Sequence, residues 1–230
     1  MRDRITQEAA IGLIDTILDE KAAELVEAFY DPAAPKKKYG VESDFIGNAF
    51  TEMGKSDPNS FEAADILAVH LMGMSFTPTA TSALLEPGSE RDGISELLSR
   101  IPDVDIWSER ANFTAANKLW SILCEERKTV YRGIAWVTAG KLLARKRPGL
   151  IPIVDKVVTD LVPEPLGGYW ELFRSYLKNE DRRKRVDALR PDTALEETPT
   201  LRLLDTAIWM RGSRGPASEI RQQLMLDDRR

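Results

Sequence analysis

The sequence turns on YRGIAWVTAGKLLARKRPGLIPIVDKVV, which runs from Tyr131 to Val158. It begins with a tight glycine turn at Gly133-Ile134-Ala135 and continues into a short helix carrying Thr138-Ala139-Gly140 and a basic face. Pro148-Gly149 breaks that helix, and an apolar Pro152-Ile153-Val154 then delivers Asp155. A turn that points backbone N–H groups outward at the start of a helix suits an anion, because unpaired amides and the helix dipole both favour negative charge there. One carboxylate follows at a fixed spacing.

Outward from this stretch the chain reads as helices. Ile11, Ile14, Leu18, Leu25 and Phe29 recur at helical spacing and predict one long amphipathic helix over about Ile5–Tyr30, ended by Asp31-Pro32. Pro35 to Asn59, with Lys36, Lys37 and Lys38 and three glycines, reads as a surface connection of little regular structure. Ser60 caps a helix over Phe61–Met74 whose buried face includes Ile66, Leu67, Val69 and Leu71, with His70 as a hydrogen-bonded core residue. Further helices are expected over Pro78–Leu85, Ile94–Arg100 and Ala115–Glu126, the last holding Cys124 as a small buried apolar residue. After Asp155, helices follow over Lys156–Leu161, Tyr169–Leu177, Asp181–Leu189 and Thr198–Trp209, with a weaker one in the tail. No segment alternates as a half-buried strand does, so the class is all-α. A length of 230 residues, 43% hydrophobic, fits one helical domain over 1–230, with two lobes.

Composition narrows the chemistry. No apolar run approaches the roughly 18–20 residues of a membrane span, and the start lacks a signal-peptide core, so the expectation is a soluble, cytoplasmic protein. One cysteine and one histidine give neither a disulfide nor a metal-ligand set, and Gly140-Lys141 lacks the remainder of a nucleotide-binding loop. No metal and no cofactor is expected. The net charge is −5, yet Arg127 to Val154 holds seven basic residues and no acidic one, which leaves −12 on the rest. Segregation of that kind makes either a basic patch for a polyanion or a merely solvated helix face.

The glycine turn, Thr138-Ala139-Gly140 and Pro152-Ile153-Val154-Asp155 together resemble the helix-hairpin-helix DNA glycosylases, most closely the adenine-excising branch, and the spacing matches without gaps. The resemblance implies two helical lobes around a cleft, duplex DNA as partner, and base excision. Asp155 would stabilise the cationic sugar or orient the attacking water, its alternative being to cap the next helix. Gly133, Ala135 and Val137 would offer amides to the DNA backbone, helped by Lys141, Arg145, Lys146 and Arg147. Trp136, Tyr169 and Trp170 would line a pocket for an extruded, damaged or modified base, one in phage DNA included. Val137 stands where bifunctional branches carry their lysine, which implies hydrolysis without strand cleavage. Ala135 departs from the second hairpin glycine, and the iron–sulfur ligands of that branch are missing. A glutamate on an early helix serves as acid in that branch; Glu20, Glu24 and Glu27 are the candidates here. The chain also resembles a bacterial family of unknown function from about Phe61 to Met210, through VTAGKLLARKRP and, later, Leu201-Arg202-Leu203-Leu204-Asp205 with Trp209-Met210. Two other functions stay open: a DNA-binding module without catalysis, and a helical protein-interaction module.

Overall fold

The computed structural model describes residues 4–54, 57–124 and 129–227. Helices α1 (Gln7–Ile17), α2 (Ala22–Tyr30), α3 (Ala34–Tyr39), α4 (Ala49–Glu52), α5 (Ala63–Leu71), α6 (Pro78–Leu85), α7 (Ser89–Ser99) and α8 (Thr114–Leu123) come first. A 3-10 turn, Thr129–Tyr131, leads into α9 (Trp136–Lys146). There follow α10 (Lys156–Leu161), α11 (Tyr169–Lys178), α12 (Glu180–Asp187), α13 (Thr200–Gly212) and α14 (Pro216–Asp227). The described residues contain no strand, only an isolated bridge between Ile5 and Pro165, and the protein is all-α as its periodicity predicts. None of these helices is long and apolar enough to cross a membrane.

The chain divides into two compact units, Met1–Asn48 with Val154–Arg230, and Ala49–Ile153. The first is built on α13, against which α2, α10, α12 and α14 pack. A helix in that position must be buried on every side, and α13 is: Leu201, Leu203, Leu204, Ile208 and Met210 are inaccessible to solvent, and so nearly are Arg202 and Asp205. The two charges pair across one turn at 2.5 Å, which lets a hydrophobic environment hold both. At its end, Gly212 lies so close to α10 that a Cβ would stand 2.7 Å from Val157 and Leu161.

The long N-terminal helix expected over Ile5–Tyr30 is two helices. Thr6 caps α1 through the Ala9 amide, and the chain breaks at Leu18, where Asp19 accepts the Lys21 amide. A side chain offering its own turn to the backbone competes with the next helical hydrogen bond. The connection expected over Pro35–Asn59 contains α3 and α4; Pro35 sits in the first turn of α3 and Gly40, at φ 67°, ends it.

The second unit sets α9 against α5 and α8, with α7 packed on α6 and α8. Helix α5 starts at Glu62, whose side chain and that of Asp65 form a reciprocal capping box; Ser60 is not the cap. Its apolar face is narrower than its sequence suggests. Leu67 and Leu71 are exposed, and so is His70, whose Nδ1 lies 3.0 Å from the Met74 carbonyl; it is not a core histidine. Ala63, Ile66, Leu67, His70, Phe76, Thr81 and Leu85 line a shallow, mostly apolar cavity of about 330 Å³ between α5 and α6. Cys124 is only partly covered, and burial pushes its thiol up to about 11.

Candidate functional site

The hairpin is anchored by two buried side chains and presents the rest. Tyr131 and Ile134 are buried, while Arg132, Gly133, Ala135 and Trp136 are exposed. The Ile134 amide donates to the Tyr131 carbonyl, closing the turn at 3.0 Å. Gly133 has φ 94°, a left-handed backbone that side chains resist, and a Cβ there would meet Thr77 Cγ2 at 3.0 Å. Thr77 serves two elements at once. Its hydroxyl accepts the Ala80 amide to cap α6 and donates to the Arg132 carbonyl at 2.9 Å, pinning the hairpin from outside. From the other flank, the Trp120 indole N–H donates to the Trp136 carbonyl at 3.3 Å.

Ala135 is the N-cap of α9, extended at φ −84° and ψ 172°, and contributes no capping side chain. An alanine in place of the second hairpin glycine therefore costs nothing, since no positive φ is asked of it. The amides of Gly133, Ala135, Trp136 and Val137 donate to no described residue. A helix start with its first amides open and no side chain across them is the arrangement an anionic oxygen can complete.

The basic side chains read as phosphate contacts lie elsewhere. Lys141, Arg145, Lys146 and Arg147 are 4%, 9%, 5% and 3% exposed and are spent on internal partners. Lys141 Nζ donates to the Met72 carbonyl at the end of α5. Arg145 Nε donates to Asp65, itself fully buried, and its two terminal nitrogens donate to the carbonyls of Phe50, Thr51, Met53 and Gly54. Lys146 pairs with the other Asp65 oxygen, donates to the Asp57 carbonyl at 2.8 Å and lies over the Phe61 ring. Burial pushes its ammonium pKa down, and Asp65 only partly offsets this. Arg147 donates to the carbonyls of Leu98 and Ile101, at the end of α7, and to Pro58 and Asn59. These four cations fasten α9 to the chain around it, so the expected role in DNA contact is corrected for each. Arg127 and Lys128 lie outside the described residues; of the described cations in the run, Arg132 alone is exposed.

Asp155 lies at the start of the other unit's second segment, immediately after its first residue, Val154. It is half-buried, and its Oδ1 accepts the amides of Val157 at 2.9 Å and Val158 at 3.2 Å, capping α10. Oδ2 has no partner among the described residues. Tyr169 and Trp170 open α11 in the same unit, both half-buried, with the Tyr169 hydroxyl donating to the Val162 carbonyl; Trp136 belongs to the other unit. Of the early glutamates, Glu20 is exposed, Glu27 accepts from Lys38 at 2.5 Å, and Glu24 keeps a buried Oε2 without a hydrogen bond. The basic run Arg182–Arg185 is also engaged: Arg182 and Arg185 hold Asp15, Arg183 the Leu177 carbonyl, and Lys184 Glu180.

Known proteins add a family without an activity. Residues 22–212 match DUF6308, a family of unknown function, and the chain belongs to it. No curated protein and no solved structure matches.

Proposed function

We propose that this member of the family is a DNA-binding protein of the helix-hairpin-helix glycosylase kind, which hydrolyses the bond between a damaged or modified base and its deoxyribose without cutting the strand. The observation that supports the reading is the hairpin: a left-handed Gly133, an extended Ala135 and four amides with no acceptor among the described residues. Phosphate oxygens fit such a nest, and Arg132 supplies the adjacent positive charge.

In the chemistry we infer, breaking the glycosidic bond leaves positive charge on the sugar, and the Asp155 carboxylate stabilises it. Capping does not disable this role. The two amides hold Oδ1 and fix the side chain, while Oδ2 keeps a lone pair for the sugar cation or the attacking water. The base leaves with a proton, and Glu24 is the early glutamate with a buried carboxyl oxygen that has no hydrogen-bond partner among the described residues. Val137 offers no amine for a covalent sugar adduct. A reading without catalysis is favoured by the same capping bonds, which account for Asp155 as a structural residue.

The two are separated by incubating the protein with duplexes that carry varied bases and then cleaving abasic sites with alkali. Catalysis predicts breaks with the wild type and none with Asp155→Asn, which still caps. Breaks persisting in Asp155→Asn would rule out the role given to the carboxylate. No breaks on any substrate, with DNA still bound, would leave the binding module.

A further inference from the structure

The hairpin also carries a side chain that phosphate contact does not use. Trp136 is 42% exposed, and among the described residues it is the only aromatic in a set of large exposed apolar side chains otherwise made of leucines and a methionine. Exposing an indole forfeits burial worth about 2 kcal/mol, so its position on the surface asks for a partner. We propose that Trp136 is a stacking platform for an unpaired nucleobase, so that the preferred partner of the hairpin is single-stranded or locally unpaired DNA rather than an intact duplex. This rests on the reading of the hairpin as a nucleic-acid contact.

Three features make the platform. Trp136 is the first residue of α9, and its carbonyl is held by the Trp120 indole, so the backbone under the ring is fixed in place. Its exposed neighbours in sequence, Gly133 and Ala135, have little or no side chain. Arg132 and the amides without a described acceptor belong to the same turn, so a phosphate-holding group and an aromatic face share one short segment. That pairing is how sequence-tolerant single-strand binding works: the backbone is held by charge and hydrogen bonds, and each base offers a face worth about 1–3 kcal/mol in stacking. Within an intact duplex both faces of a base are covered by its neighbours. Only an unpaired, mismatched or extruded base exposes one.

The choice between single strand and duplex also follows from charge. The buried cations leave the outside of the protein more acidic than its sequence, and a duplex, with the denser phosphate charge, gains least from it.

The test uses the full chain and three labelled oligonucleotides of one sequence: single-stranded, perfectly paired, and paired with a central mismatch. Fluorescence anisotropy at fixed salt reads affinity, and indole emission reads stacking. Single-stranded and mismatched DNA should bind more tightly than the perfect duplex. Trp136→Ala should lose about tenfold on those two and little on the duplex, and Trp136→Phe should retain most of the affinity. Bound single strand should quench emission in the wild type, and much less in Trp136→Phe. Unchanged affinity in a folded Trp136→Ala, or equal binding of all three DNAs, overturns the stacking role and leaves the hairpin reading intact. Absence of binding to every oligonucleotide at low salt overturns both.

Discussion

At the scale of single residues, Arg145 shows how far the charge in a sequence can lie from the charge on a surface. Its guanidinium enters the protein, meets Asp65 at 3.2 Å and satisfies four carbonyls at the end of α4 and beyond. Planarity matters here, because the guanidinium's five donors in a fixed fork can serve more acceptors at once than the three donors of an ammonium. Removing Arg145 leaves one oxygen of the buried Asp65 and the carbonyls of the α4 end without that donor, at about 1–3 kcal/mol for each buried group left unsatisfied, although Lys146 still pairs with Asp65. Arg145→Met should therefore lower the midpoint of thermal unfolding by several degrees or prevent folding, and Arg145→Lys should recover only part of the loss. Circular dichroism melts measure both. A melt of Arg145→Met that matches the wild type would contradict the assignment of this residue to the interior.

At the scale of elements, the hairpin is a turn whose conformation is set by one glycine. Gly133→Ala must adopt φ near 94° and approach Thr77, so it should destabilise the turn by about 1 kcal/mol and weaken DNA binding more than it weakens the fold. Ala135→Gly should change neither. Affinity and melting temperature of the two variants give the comparison; equal binding by Gly133→Ala and wild type would separate the turn from function. In the other unit, Asp15 joins three helices, accepting from Tyr176 on α11 and from Arg182 and Arg185 on α12. Partial burial raises the Asp15 pKa, but the Arg182 and Tyr176 hydrogen bonds and the two arginine charges outweigh it, and the carboxyl titrates below its ordinary value. The joint is then at full strength above the unfolded carboxylate pKa of about 3.9 and weakens as pH falls through the lower folded value. Urea unfolding should show wild type more stable than Asp15→Asn at pH 5, with the gap narrowing by about pH 2.5; a gap independent of pH would remove Asp15 from that role. The elements differ in how legible they were. Pro78 and Asp155 announce the starts of α6 and α10, and both begin there, because a helix start is a local event. The inward turn of Lys141, Arg145, Lys146 and Arg147 depends on partners distant in sequence and does not show in a basic run, whereas the break at Leu18 and the start of α5 at Glu62 rest on local side chains, Asp19 and Asp65, that read equally well as solvated. Within the candidate site, the open amides and the capping of Asp155 could be anticipated from spacing. The exposure of Trp136 could not.

At the scale of the molecule, a chain of net charge −5 that places Lys141, Arg145, Lys146 and Arg147 inside would present an acidic exterior to the DNA we propose as its partner. Hairpin amides, Arg132 and a stacked base must then carry the affinity. Binding should depend weakly on salt, falling only about tenfold between 50 and 200 mM, as for about two neutralised phosphates, where a protein with six to ten loses about 10³–10⁵. A steep slope would point to a basic surface other than this hairpin. The most direct test of the whole account is mass spectrometry of free bases released from DNA containing a panel of damaged and modified bases. The account predicts that the wild-type chain releases at least one base while the DNA strands stay intact, and that Asp155→Asn, folded and still bound to DNA, releases none. No base released by the wild type from any DNA, or equal release by the two proteins, would contradict it.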